Sequence, residues 1–138
     1  LTGGEGDDTL FGRRSSDTTG TDAEADVLNG GAGIDQLFLG SGDTGTGGAG
    51  ADQFVMRNGV TGAVTITDLD VAEDSLVIQA TPADTVTVAS QAVDAGTLVI
   101  TLNTGATINL QGVTTELPGD TIVIVDPAVT PDVVVPTI

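Results

Sequence analysis

The chain has 138 residues, of which 20 are acidic and only three are cationic, for a formal net charge of −17. Such acidity excludes nucleic acid and anionic membrane surfaces as partners. With no histidine and no cysteine, a His-based triad, a thiol nucleophile, an ordinary zinc site and a disulfide are excluded too.

The first 55 residues are built on nine. Three segments obey the rule Gly-Gly-x-Gly-x-Asp-x-(apolar)-x: GGEGDDTLF at 3–11, GGAGIDQLF at 30–38 and GGAGADQFV at 47–55. Glycine permits tight turns that expose carbonyl oxygens, and aspartate supplies a hard anionic oxygen suited to Ca²⁺. The apolar residue then starts a short strand whose side chain points inward. Counting nines from Gly3 places the weaker segments in slots of the same register. GRRSSDTTG (12–20) keeps Gly12 and Asp17, and TDAEADVLN (21–29) keeps Asp26 and Leu28. LGSGDTGT (39–46) is one residue short, and a gap after Gly42 restores Asp43 to the sixth position. Aspartate thus holds that position in all six slots, as Asp8, Asp17, Asp26, Asp35, Asp43 and Asp52. A flexible glycine-rich linker would not keep aspartate in phase.

These motifs resemble the RTX, or hemolysin-type, calcium-binding repeats of secreted bacterial proteins. The resemblance implies a parallel β-roll in which two nonapeptides make one turn and each Ca²⁺ sits between loops two repeats apart. Carried onto this chain, it pairs Asp35 with Asp52, Asp17 with Asp35, Asp8 with Asp26 and, most weakly, Asp26 with Asp43. The expected sites for several Ca²⁺ ions comprise Gly3, Glu5 and Asp8; Gly12 and Asp17; Asp26; Gly30, Ala32 and Asp35; Asp43; and Gly47, Ala49 and Asp52. The stretch ITDLDVAEDSLVI (66–78) resembles the segment that follows the last repeat in such proteins. It makes Asp68 a candidate for a terminal Ca²⁺, with Asp70 and Asp74 behind it; a solvated acidic turn is the competing reading.

Residues 56–138 hold only six of the 20 glycines, and apolar residues alternate there with threonine and other polar residues. That pattern predicts strands near 63–67, 75–80, 85–89, 97–102, 106–111 and 121–125. Asn103-Thr104-Gly105 reads as a three-residue hairpin loop. No segment reads as a helix. The fold expected is all-β: a β-roll over 1–55, then a small β-sandwich-like cap over 56–138 that closes the open end of the roll. Phe54 would be the inward residue at that end, in line with Leu10, Leu28 and Leu37. The tail 126–138 reads as extended.

An enzyme is not expected. The acids of 1–55 are spaced for calcium, no Trp or Tyr is present to stack a sugar, and the glycine turns precede strands rather than phosphate-binding helices. No apolar stretch reaches the roughly 18 residues of a spanning helix. Calcium modules of low affinity, about 10⁻⁴–10⁻³ M, work outside the cell. The chain begins at Leu1 without a Met, as expected of a fragment or processed product, and the resemblance implies type I secretion. Two functions remain open at this stage. One is an extracellular structural or interaction module that folds on Ca²⁺ and self-associates at strand edges, by the first turn at Leu1-Thr2 and the tail 130–138. The other is the C-terminal secretion-and-folding domain of a larger exoprotein such as a toxin, protease or lipase.

Overall fold

The computed structural model describes residues 1–12, 25–56, 60, 62–80, 86–117 and 121–125. Glycine-rich turns and alternating apolar residues fold these segments into twelve strands and, among the described residues, no helix. The first eight strands come in pairs, one pair to each turn of a roll. They are β1 (Thr2–Glu5) and β2 (Thr9–Phe11), β3 (Val27–Ala32) and β4 (Gln36–Leu39), β5 (Thr44–Ala49) and β6 (Gln53–Met56), and β7 (Ala63–Ile66) and β8 (Ser75–Gln79). Each odd strand joins one sheet and each even strand the other, so the chain coils between two parallel sheets. The expected all-β parallel roll is the fold found.

Alternation decides what fills the space between the sheets. Leu10, Leu37, Phe54 and Leu76 occupy one inward rung, and Leu39, Met56 and Ile78 the next. On the facing sheet Gly45 stands between Leu28 and Ile66. A Cβ on Gly45 would come within 3.2 Å of both methyls of Leu39, so glycine there makes room for the opposite leucine. Phe54 is fully buried, but it does not end the stack, because Leu76 of the next turn lies over it.

The parallel stacking therefore runs on past Val55 through β7 and β8. Three more strands extend the first sheet: β9 (Val88–Asp94), β10 (Thr97–Leu102) and β11 (Thr107–Gln111). They form an antiparallel meander docked in parallel on β7, giving the order β1-β3-β5-β7-β11-β10-β9. A last strand, β12 (Ile122–Val125), extends the second sheet in the order β12-β8-β6-β4-β2. One continuous apolar cluster runs from Leu28 to Ile122. Gln91 ties the connecting segment down, accepting from Leu117 N at 2.7 Å and donating to Leu117 O at 3.2 Å. Gly105 takes the positive φ (93°) expected of it in the loop between β10 and β11.

Register departs from the expected two-repeat turn in one place. Gly31 pairs with Gly48, 17 residues on, but Gly4 pairs with Gly31, 27 residues on. The second glycine of each complete motif marks the difference. Gly31 and Gly48 have φ of 109° and 103°, and a Cβ on either would strike the carbonyl oxygen of the turn below. The slots between hold Arg13 and Asp22 at that position, where the complete motifs have glycine. The connection from β2 to β3 carries an extra nonapeptide.

Continuity of the inward rung is testable. Phe54→Ala is expected to cost the folded chain about 3–5 kcal/mol, because both flanking rungs are held and the void cannot collapse. Urea denaturation in saturating calcium measures it; a loss below about 1 kcal/mol would mean that Phe54 packs no better than a surface residue.

Candidate metal centre

Four loops carry the chain from the first sheet to the second and stack on one flank of the roll. They are the links β1–β2, β3–β4, β5–β6 and β7–β8. Backbone bonds hold neighbouring loops together: Gly6 N donates to Ala32 O (2.7 Å) and Gly33 N to Ala49 O (2.9 Å). The carbonyls of Asp8, Asp35 and Asp52 accept from Gln36 N, Gln53 N and Ser75 N at 2.8–2.9 Å.

Within this frame the aspartates form a ladder. Asp8 N donates to Asp35 Oδ1 at 2.8 Å, Asp35 N to Asp52 Oδ1 at 2.9 Å, and Asp52 N to Asp74 Oδ1 at 2.8 Å. Each bond fixes a carboxylate on the flank of its own loop. The second oxygens of Asp8, Asp35 and Asp52 are buried and have no hydrogen-bond partner. An ionised oxygen left this way costs several kcal/mol unless a cation meets it.

The space in front of each orphan oxygen suits such a cation. The point a Cβ would take on Gly30 lies 2.6 Å from Gly47 O and beside Asp35 Oδ2. The same point on Gly3 lies 2.6 Å from Gly30 O and beside Asp8 Oδ2. A side chain would fill the cradle; glycine leaves it open to one carboxylate and one carbonyl oxygen, the hard donors that Ca²⁺ prefers at about 2.3–2.6 Å. No group of three acidic side chains converges among the described residues, so an ion here would draw on backbone carbonyls. The donor set fits Ca²⁺ better than Mg²⁺, which demands a tight octahedral shell.

The RTX calcium-binding nonapeptide repeat matches this chain in four copies, over residues 1–19 and 21–54. Over these residues the chain carries RTX calcium-binding repeats. Among solved structures it is similar to the extracellular lipase LipA from Serratia marcescens, at 24% identity and a TM-score of 0.47, over 89% of this chain and 20% of that one. The chain thus spans about a fifth of the length of that lipase. No curated protein matches it in sequence.

The RTX loops meet in part as expected. Loop 30–35 faces loop 47–52, bringing Asp35 to Asp52. Asp8, however, meets Asp35 rather than Asp26, because of the extra nonapeptide before β3. Asp17 lies outside the described residues, and the place expected for it beside Asp35 is taken by Asp8. Asp26 belongs to the opposite flank, where its N–H donates to Asp43 Oδ1 at 2.9 Å. Gly40 N occupies Asp43 Oδ2 at 2.7 Å, so both oxygens of this buried carboxylate have N–H partners. Gly12 lies against the same oxygen: a Cβ there would overlap Asp43 Oδ2. Glu5 ends β1, and the Ala32 and Ala49 carbonyls already accept from the preceding loop.

The non-repeat loop 67–74 completes the flank differently. Asp68 accepts from Gly47 N (2.9 Å) with one oxygen and from Gly48 N (2.8 Å) with the other. Asp74 accepts from Asp52 N and, through Oδ2, from Asp70 N at 2.8 Å. Asp70 closes a local turn by accepting from Ala72 N. Sequence reasoning also passed over Asp7, whose carboxylate takes the N–H of Ile34 in the next loop at 2.8 Å; the doubled Asp7-Asp8 was the only available signal.

Burial pushes the carboxyls of Asp52 and Asp74 above their ordinary value of 3.8. The N–H of Asp35 pulls Asp52 partly back, while Asp74, Asp35 and Asp68 push it further up. A raised folded-state value means that the metal-free fold binds protons more tightly than the open chain does. Its stability is therefore greatest below pH 3.8 and falls as pH rises through the raised value. In excess chelator, strand circular dichroism is expected to grow as the pH is lowered from 7 toward 4. A signal that is flat or declines over that range would contradict the assignment.

Proposed function

We propose that this chain is an extracellular structural or interaction module that folds when calcium binds. The observation that carries the reading is the column of buried, unpartnered Oδ2 atoms on Asp8, Asp35 and Asp52, set against open glycine cradles. Ca²⁺ held there by these carboxylates, with the Gly30 and Gly47 carbonyls beside the first two, would neutralise charges that otherwise oppose folding. The ions bind the folded roll and not the open chain, so folding follows the calcium concentration. At 1 mM calcium and a site constant of about 10⁻⁴ M, each ion would add about 1.4 kcal/mol. Several ions together then rival the whole stability of a small domain, about 5–15 kcal/mol. Resting cytosolic calcium would leave the chain open, and the outside of a cell would close it.

Exposed sheet edges support an interaction role. Strand β9 is a seven-residue edge with most of its residues in solvent, including Val93 at 45% exposure. Such an edge can accept a strand from another copy or from a surface partner.

Calcium titration followed by circular dichroism and sedimentation tests both parts. The expected result is cooperative gain of strand signal with Ca²⁺, poor substitution by Mg²⁺, and association that appears only with calcium. A roll fully ordered in chelator would end the folding proposal. A calcium-folded chain that stays monomeric would favour the alternative, a folding and secretion domain of a larger exoprotein. Because Asp35 joins two neighbours and carries an orphan oxygen, Asp35→Ala should raise the calcium midpoint more than Asp43→Ala, whose oxygens both have backbone partners.

A further inference from the structure

We infer that Asp74 is a positioning residue for the calcium column: it sets Asp52, and through the ladder Asp35, without itself holding an ion. This rests on the proposal that the orphan oxygens hold Ca²⁺. Asp74 lies 20 residues beyond the last matched repeat residue, in a loop that lacks the nonapeptide glycines. The resemblance of 66–78 to the segment after RTX repeats made it a candidate ligand. The structure puts its two oxygens to another use, one on the N–H of Asp52 and one on the N–H of Asp70.

The ladder makes the end position different from the others. Asp8 N is held by Asp35, and Asp35 N by Asp52, so each interior N–H is fixed by a residue that is also an expected ligand. Asp52 N has Asp74 instead. Asp35 and Asp52 accept along the ladder through Oδ1, and Asp8, Asp35 and Asp52 leave Oδ2 bare; in Asp74, Oδ2 is closed by a bond within its own loop. The local bond Asp70 N to Asp74 Oδ2 holds the carboxylate in place, and its Oδ1 then holds the backbone of Asp52. Removing Asp74 would free the Asp52 N–H inside a buried loop and let the cradle at Gly47 drift from Asp52 Oδ2, which now lies directly against it. A ligand and a positioning residue would fail differently. Loss of a ligand removes an ion. Loss of a positioning residue keeps the ions and weakens them, most at Asp52 and least at Asp8.

The test compares Asp74→Ala, Asp74→Asn and Asp94→Ala in the full chain. Asp94 ends the distant edge strand β9, so its variant controls for deletion of one negative charge. Asparagine keeps an oxygen for the Asp52 N–H. Calorimetric titration gives the number of ions and the midpoint; hydrogen exchange reads the Asp52, Asp35 and Asp8 amides at saturating calcium. Asp74→Ala is expected to keep the wild-type ion number and to raise the calcium midpoint about two- to fivefold, the spread expected when one charge-assisted bond is lost and several ions share the cost. Amide protection should fall most at Asp52. Asp74→Asn should restore most of both, and Asp94→Ala should move neither upward. The inference is overturned if Asp74→Ala loses one ion, or if its midpoint and Asp52 protection match those of Asp94→Ala. If the wild-type chain does not fold with calcium at all, the calcium proposal itself fails, which is a separate result.

Discussion

The structure turns on carboxylates stacked at strand spacing. Neighbouring turns of the roll are about 4.8 Å apart. Two unit charges at that distance repel by about 3.5 kcal/mol at an effective dielectric constant of 20. The roll accepts that cost at Asp8, Asp35 and Asp52 and adds another, since each presents a buried oxygen with no partner. Nothing in the apolar core requires it: the inward rungs pack Leu10, Leu37, Phe54 and Leu76 whatever the loops contain. The column has a physical rationale only if a cation completes it. Glycine at the first position of the three repeat motifs is part of the same arrangement, because a Cβ at Gly3, Gly30 or Gly47 would meet the bare oxygen of Asp8, Asp35 or Asp52.

Much of this was legible in the sequence, and for one reason. A stacked fold repeats the same environment every turn, so residues that share an environment recur at a fixed interval. The phase of aspartate disclosed the flank, and the phase of leucine and phenylalanine disclosed the inward rung. Legibility ended where the interval did. Asp8 meets Asp35 at a separation of 27 and Asp52 meets Asp74 at 22, and neither lies on a two-repeat grid. The first departure falls where the sequence has Arg13 and Asp22 in place of the motif's second glycine. The second falls in a loop with no repeat signature: its aspartates were candidates from the sequence, but the N–H groups they face are given by the structure alone.

The cap was readable to a similar degree. Strands near 63–67, 75–80, 97–102, 106–111 and 121–125 match β7, β8, β10, β11 and β12 closely. The expected strand at 85–89 is displaced; the strand found there runs from Val88 to Asp94. Its position is set by a two-residue turn at Ala95-Gly96, with φ of 51° and 81°, which pairs Asp94 with Thr97. Ala-Gly is a weaker sequence signal for such a turn than Asn-Gly. An edge strand exposed over most of its length also has little reason to alternate apolar with polar, so β-branched Thr85–Ala89 attracted the assignment instead.

The two flanks and the two ends of the roll therefore differ in how they neutralise acid. On the opposite flank, N–H groups satisfy both oxygens of Asp43. At the fourth turn, N–H groups satisfy both oxygens of Asp68 and of Asp74. Among the described residues, the buried carboxylate oxygens left bare are those of the first three loops of one flank. The first turn contributes Leu10, only half-buried, while the region from Val64 to Ile122 supplies most of the continuous core. Density of burial does not decide which oxygens are closed: Asp35 and Asp52 each leave one bare in turns whose inward Leu37 and Phe54 are fully buried. Ions at those oxygens, as proposed, would neutralise the three repeat loops, whereas at the fourth turn backbone N–H groups already close both oxygens of Asp68 and of Asp74.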